Sequence, residues 1–318
     1  MTETLGTVVA VRPRWVLLRT QTGEIRCEVP RSLRQGARVQ RHVVAVGDRA
    51  TVDLQPDGHG ILRRIEARRT KVSRLSSVRP RREHVIAANV DTLLAVMSVD
   101  RPRFYAHTLD RLLVIADVGG VRPAICLNKI DLARPGEVEE LIRPYLRLGM
   151  PVFPTCALTG LGLDELRGFL TGRETAFLSQ SGVGKSALIN DLIPGTQQRT
   201  DEVSVSSGRG VHTTTRVDYL DLPGGGAVLD TPGVKTLQPC GVDPADLASF
   251  FPEFRPYLGA CRFNDCLHRG EPECAIETAA RAGEISPSRH VSYVRILEGL
   301  LLEADGAGEG RGVGVEPD

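Results

Sequence analysis

The chain has 318 residues, enough for two or three domains with ample core material at roughly 150 residues per domain. Hydrophobic residues at 41% and charged residues at 25% exclude a disordered or fibrous chain, and an aromatic share of 4% leaves the cores to aliphatic side chains. The net charge of +1 conceals a polarity: residues 1 to 82 hold 18 Arg or Lys against 7 Asp or Glu, so the remainder is acidic and one basic module faces a polyanion. No apolar run approaches the ~18 residues that cross a bilayer, and the N-terminus MTETLGTVVAVRPRW lacks a leader pattern, so no membrane partner and a cytoplasmic location are expected. Of the seven cysteines only Cys261, Cys266 and Cys274 cluster, which favours a metal site in a reducing compartment over a disulfide framework.

Residues 5 to 65 alternate apolar and polar positions in the short runs TVVAV, WVLLRT, EIRCEV and RATVDL, broken by Gly23, Asp57 and Gly58. Such a module is a small barrel of the OB type, with an SH3-like barrel as the alternative, and OB surfaces often take oligonucleotides. Arg63 to Arg82 then carries nine basic residues and one acidic. A basic run is ordinarily a solvated face, but joined to this barrel it points to RNA, held through its backbone rather than by base stacking because aromatics are few. DTLLAVMSV is a buried parallel strand, which puts a domain boundary near residues 70 to 88.

An amphipathic segment at residues 106 to 117, the strand AICLNK, a helical stretch from Glu137 to Leu148, VFPTCA and a short helix at residues 163 to 170 follow. Strands alternating with helices give a layered α/β domain with a mostly parallel sheet. TAFLSQS leads into GVGKSALIN, and TRVDYLDL with AVLDTPG reads as a hairpin pair of strands. The expected fold is multidomain α/β: an OB-type barrel over 1–75, a P-loop nucleotide-binding domain over 76–238, a small zinc domain over 239–303, and a disordered tail over 304–318 with too little apolar content to fold.

SQSGVGKS, Ser179 to Ser186, matches the phosphate loop GxxxxGK[ST] except that Ser179 stands at the first Gly. It follows an apolar strand and opens a helix, so the amides of Ser181, Gly182, Val183, Gly184, Lys185, Ser186 and Ala187 would face phosphate oxygens. Lys185 would neutralise the β and γ phosphates and the Ser186 hydroxyl would ligate Mg²⁺. Taken alone the segment is also a Gly-rich turn with a surface lysine. Asn128, Lys129 and Asp131 form NKID after the strand AICL. Asp131 can accept from both N1–H and the exocyclic amino group of guanine, a donor pair that adenine lacks, with Asn128 fixing the loop and the Lys129 stem covering the base. NKID alone could equally be a turn with Asp131 as helix cap.

Asp230 and Gly233 lie in DTPG, suited to a carboxylate near the magnesium shell and an amide near the γ-phosphate. Thr155, Cys156 and Ala157 could supply backbone contacts to the base edge. Four such loops at the ends of successive strands point to one ligand, because open α/β sheets bind there. Their order is unusual: NKID and TCA precede SQSGVGKS and DTPG, the reverse of the common GTP-binding arrangement, which indicates a circular permutation. Val234 follows DTPG, where a glutamine would orient water, so hydrolysis needs another residue or a partner. Cys261, Cys266, His268 and Cys274 have the spacing C-x4-C-x-H-x5-C, three thiolates and an imidazole for one closed, structural zinc site, with Cys240 outside it.

In this order NKID, SGVGKSALIN, GRGVHTTT, DTPGV and the terminal Cys/His cluster resemble the ribosome small-subunit-dependent GTPase A family (RsgA, also called YjeQ) over residues from about 5 to 300. The resemblance implies an OB domain, a permuted GTPase domain and a zinc domain, binding to the 30S subunit and 16S rRNA, and a role late in its maturation. It favours Thr213, with Thr214 next, as the switch threonine on Mg²⁺, and His212 in place of the missing glutamine. The expected activity is GTP hydrolysis to GDP and phosphate, stimulated by the ribosome, in a monomer. The alternative is a noncatalytic GTP-dependent RNA-binding scaffold, and an ATPase requires discounting Asp131.

Overall fold

The computed structural model describes residues 3–35, 43–76, 82–196, 217–232 and 238–308, with 34–35 and 304–308 as backbone only. The chain divides into two compact units, Met1–Phe104 with Ile115–Cys240, and Tyr105–Val114 with Gly241–Asp318. In the first unit β1 (Glu3–Val11), β2 (Trp15–Thr20), β3 (Gly23–Glu28), β4 (Arg49–Leu54) and β5 (Gly60–Ile65) close a barrel in the order β1-β2-β3-β5-β4, with α1 (Arg31–Gln35) after β3. Alternating positions turn Val16, Leu18, Cys27, Val52 and Leu62 into its core. The barrel closes through a short parallel pairing, Cys27 with Gly60 and Glu28 with Ile61. Glycine is required at 60, because a Cβ there would lie 2.4 Å from Val52 and 2.7 Å from the Cys27 sulfur.

Five cations of the basic run after the barrel have carboxylate partners within the protein, although Arg63, Arg64 and Arg69 remain 62%, 67% and 67% exposed. Arg63 pairs with Asp53 at 2.8 Å, Arg64 with Glu66 at 2.8 Å, Arg69 with Asp91 at 2.8 Å and Lys71 with Glu83 at 2.6 Å. Arg68 reaches the fully buried Asp48 at 2.7 Å, and the same carboxylate accepts from the Ala45 amide at 2.8 Å. Glu66 is the one acidic residue of the run itself, whereas Asp48, Asp53, Glu83 and Asp91 lie outside it on neighbouring strands and turns. Arg79 and Arg81 lie outside the described residues. β6 (Lys71–Leu75) and β7 (Glu83–Ala88) form an antiparallel ribbon, and the Ala88 amide donates to Val46 on the barrel at 2.9 Å.

The six-stranded sheet runs β10 (Val152–Pro154), β9 (Arg122–Asn128), β8 (Thr92–Ser98), β11 (Glu174–Ser179), β13 (Ala227–Asp230), β12 (Asp218–Asp221). All neighbours are parallel except β12 with β13, the expected hairpin. Every residue of β8 is buried, as a strand covered on both faces requires. The connecting helices are α2 (Ala106–Val118), α3 (Glu137–Leu146), α4 (Leu163–Leu170) and α5 (Lys185–Leu192). α3 stops two residues short of the predicted Leu148, where Gly149 takes φ 71°. The chain builds outward from β8 to β10 and then crosses to β11 on the other side, so a crevice opens between β8 and β11 at their C-terminal ends.

The second unit holds two short 3₁₀ turns, Leu247–Phe250 and Pro252–Tyr257, then α6 (Ala275–Arg281) and α7 (Pro287–Gly308). Phe251, Phe254 and Tyr293 pack as its aromatic core, with centroids 5.0 to 5.4 Å apart. Buried Arg289 meets Asp110 at 2.5 Å and Glu253 at 2.6 Å, which ties the segment Tyr105–Val114 into this unit, an association no sequence pattern indicated. α7 runs on through Gly308, past the predicted start of the tail at 304, and the rest of the tail lies outside the described residues. Among the described residues no helix is long and apolar enough to cross a membrane.

Candidate functional site

The phosphate loop leaves β11 at Ser179 and turns through Ser181 to Gly184 before Lys185 opens α5. Val183 points into the apolar core beside Leu188 and Ile189, so only its backbone is offered to a ligand. Gly182 and Gly184 have φ 84° and 91°, a region costly for other residues, and a Cβ on Gly184 would lie 2.4 Å from the Asn128 amide nitrogen. Ser179 is the last strand residue, in register with Val96, and is not among the positive-φ residues. The first glycine of the motif is thus dispensable here without backbone strain, although the buried Ser179 hydroxyl has no hydrogen-bond partner among the described residues.

Asn128 is the bracket of the site. Its Nδ2 donates to the Val183 carbonyl at 2.9 Å, while its Oδ1 accepts from the Ala157 amide at 3.2 Å and the Thr155 hydroxyl at 3.3 Å. One buried amide therefore fastens the phosphate loop to the loop after β10. Lys129, at φ 61°, donates from Nζ to the Gly182 carbonyl at 2.7 Å and also to the Arg101 carbonyl. Burial holds its ammonium below the ordinary lysine value, with Asp131 and Asp100 opposing. Asp131 is exposed, and one of its oxygens accepts from the Cys156 thiol at 3.1 Å. The thiol contact is one that sequence reading missed, since TCA suggested backbone contacts only.

On the other side of β11, Lys185 Nζ contacts the Asp230 carboxylate and the Thr231 carbonyl, with both charged side chains nearly buried. Burial pushes the Asp230 carboxyl above the ordinary aspartate value, and Lys185 opposes that shift. Thr231 is fully buried and donates to the Phe177 carbonyl at 2.7 Å, which anchors DTPG to β11. Ser186 sits half-buried in the first turn of α5. Asn128, Lys129, Asp131, Cys156, Ala157, Ser181 to Ala187 and Asp230 are thus brought to one end of one sheet. His212, Thr213, Thr214, Gly233 and Val234 lie outside the described residues. The loop after β8 was also missed: Arg101 and Pro102 flank the phosphate loop, with Pro102 Cδ 3.5 Å from where a Gly182 Cβ would stand.

This arrangement offers backbone amides, a lysine and a helix start for phosphates, a carboxylate for a ring with two adjacent N–H donors, and Ser186 with Asp230 for the coordination sphere of Mg²⁺. The strand-end placement fits the motif order read from the sequence.

In the second unit the donor atoms of Cys261, Cys266, His268 and Cys274 all lie within 4.8 Å of one another. His268 presents Nδ1 to Cys261 at 3.4 Å and Cys274 at 3.5 Å, and the Ala275 and Glu277 amides point at the sulfurs of Cys261 and Cys274. Burial pushes the Cys266 thiol up to about 12, raises Cys274 and lowers the His268 imidazole. A divalent cation reverses that balance for thiols by its own charge. Three soft sulfurs and one nitrogen facing a common point can hold a metal, and the donor set fits tetrahedral zinc.

Comparison with known proteins agrees with this geometry. The RsgA GTPase family matches residues 65–239, more than half of the chain. The small ribosomal subunit biogenesis GTPase RsgA of Chlorobaculum tepidum is 39% identical over 313 residues, 94% of this chain and 99% of the relative. The crystal structure of YjeQ from Thermotoga maritima superposes with a TM-score of 0.74 at 31% identity, covering 94% of this chain and 99% of that one. That of YloQ, a circularly permuted GTPase, shares the fold at 24% identity, with a TM-score of 0.69 over 95% and 96% of the two chains. The chain belongs to the RsgA GTPase family and is a GTP hydrolase.

Proposed function

We propose that this GTPase acts on the small ribosomal subunit, binding the 30S particle and its 16S rRNA late in maturation and leaving after hydrolysis. The observation that carries the reading is Asn128 bonding the phosphate loop and the base loop at once, which makes a single pocket for a guanine nucleotide. The biogenesis role rests on relatives that are named for it and that span nearly the whole chain. Ser186 and Thr213 hold the Mg²⁺ that accompanies GTP, and Asp230 supports that shell. With Val234 after DTPG, His212 is the residue that orients the attacking water, and docking on the subunit brings it into place. Zinc in the Cys261, Cys266, His268, Cys274 cluster is structural, since four protein ligands leave no open position. The working division is a barrel at 1–75, the GTPase domain at 76–238 and the zinc domain at 239–303, in a cytoplasmic monomer.

The test is GTP turnover titrated with purified 30S subunits. Acceleration is expected, and equal rates with and without subunits overturn the coupling. His212→Ala should remove the accelerated turnover and spare GTP binding.

A further inference from the structure

The second unit carries a group of basic side chains that neither the nucleotide site nor the cysteine cluster uses. α2 presents His107 and, one turn on, Arg111, while α7 brings Arg295, whose Nη1 lies 3.3 Å from His107 Nδ1. A guanidinium only donates, so Nδ1 accepts and the imidazole proton sits on Nε2, where it is a further donor. Tyr105, 47% exposed, stands beside them with its ring 5.6 Å from that of His107. His107 lies in the first turn of α2, which holds no acidic residue.

Basic groups gathered without an acid repel one another. Burial, then the charges of Arg295 and Arg111, hold the His107 imidazole below the ordinary histidine value. Burial lowers the Arg111 guanidinium as well, with no carboxylate opposing it, and its Nε–H is buried without an acceptor among the described residues. Arg289 is the contrast, since Asp110 and Glu253 hold it from two sides. Asp110, next to Arg111 in the chain, is thereby committed elsewhere. Glu298, one turn beyond Arg295 on α7, makes no ion pair among the described residues.

Such a group offers donors from two helices and calls for an anion. A guanidinium fork matches two oxygens of a phosphate or a carboxylate at once. A phosphate monoester is tetrahedral, carries nearly two negative charges at neutral pH and has three terminal oxygens, enough for both arginines and the imidazole. A carboxylate has two coplanar oxygens and one charge, and a phosphodiester likewise has one charge and two free oxygens. The charge of the two arginines therefore matches a monoester better than either.

We propose that His107, Arg111 and Arg295 form a binding site for a terminal phosphate group, free or at the end of a small molecule, with Tyr105 as its exposed wall. Arg111 and Arg295 neutralise its charge and His107 donates to it from Nε2. The site is separate from the guanine pocket, and it does not depend on the ribosomal subunit as partner.

The test uses full-length protein saturated with GDP and Mg²⁺, so that the nucleotide pocket is filled. It is titrated with inorganic phosphate, methyl phosphate, dimethyl phosphate and acetate while the histidine ring signals are followed by NMR, with His107 assigned from His107→Gln. Inorganic phosphate or methyl phosphate should move the His107 signal and bind at least about tenfold more tightly than dimethyl phosphate or acetate. Either supports the site, and the tighter of the two shows whether the phosphate is free or esterified. Arg295→Ala and Arg111→Leu should each weaken that ligand about tenfold or more, and Arg295→Lys should lose less, since it keeps the charge without the fork. GTP hydrolysis should be unchanged in Arg295→Ala, an exposed position, which controls for folding; if Arg111→Leu does not fold, Arg295→Ala decides. A His107 signal unmoved by either phosphate, wild-type affinity in Arg295→Ala, or equal binding of dimethyl phosphate would overturn the site.

Discussion

The cysteine cluster draws all its donors from residues 261–274, whereas the nucleotide site draws on Arg101, Asn128, Asp131, Cys156, Lys185 and Asp230. In the cluster, covalent proximity does most of the assembly and a metal, when bound, would supply the remaining attraction. In the nucleotide site, a parallel sheet does the assembly, by placing successive strand ends side by side whatever their order in the chain. This is why the motifs can be permuted without dispersing the pocket: β11 and β8 remain neighbours although the chain visits other elements of the sheet region between them. A short-range site depends on its ligand for stability, while a sheet-borne site depends on buried side chains such as Asn128.

Metal removal is the sharpest way to break this contrast. Chelation, or Cys274→Ser, should unfold the second unit, since metal binding in such clusters carries apparent free energies of about 10–16 kcal/mol that count as folding energy. Calorimetry with metal analysis checks it, and an unchanged transition after complete chelation would show that the cluster is not a metal site. GTP binding should survive the treatment.

The next largest effect is on base choice. Asp131→Ala should erase discrimination of GTP from ATP, a loss of up to about 10⁴-fold, because a site built to pair two donors rejects a ligand lacking them. Competition binding measures it, and retained selectivity would mean that the base is read elsewhere.

The smallest effect concerns Ser179. Removing its unpartnered buried hydroxyl by Ser179→Ala should stabilise the protein by about 1 kcal/mol and leave nucleotide affinity unaltered. Denaturant midpoints decide between this and destabilisation, which would reveal a partner for the hydroxyl.

The legible parts of the molecule share one property: each signal is contained in a short window. Alternation in the barrel strands, the all-buried β8, the turn glycines at 182 and 184 and the C-x4-C-x-H-x5-C spacing each depend on residues within a few positions of one another. What escaped reading is what joins windows. The Cys156 thiol on Asp131, Arg101 beside the phosphate loop and Arg289 on Asp110 are contacts between residues 25 to 179 positions apart with no motif of their own. The ion pairs of the basic run escaped for the same reason, since Asp48 and Asp91 lie outside the segment whose arginines they meet.

Asn128 has a further consequence for how the enzyme meets its substrate. Because its amide is already satisfied at both ends, the two halves of the pocket are aligned in advance, and an arriving nucleotide has little loop entropy to remove there. Guanosine and pyrophosphate offered separately should then each bind far more weakly than the intact molecule, since a rigid frame rewards a ligand whose own linkage matches its span.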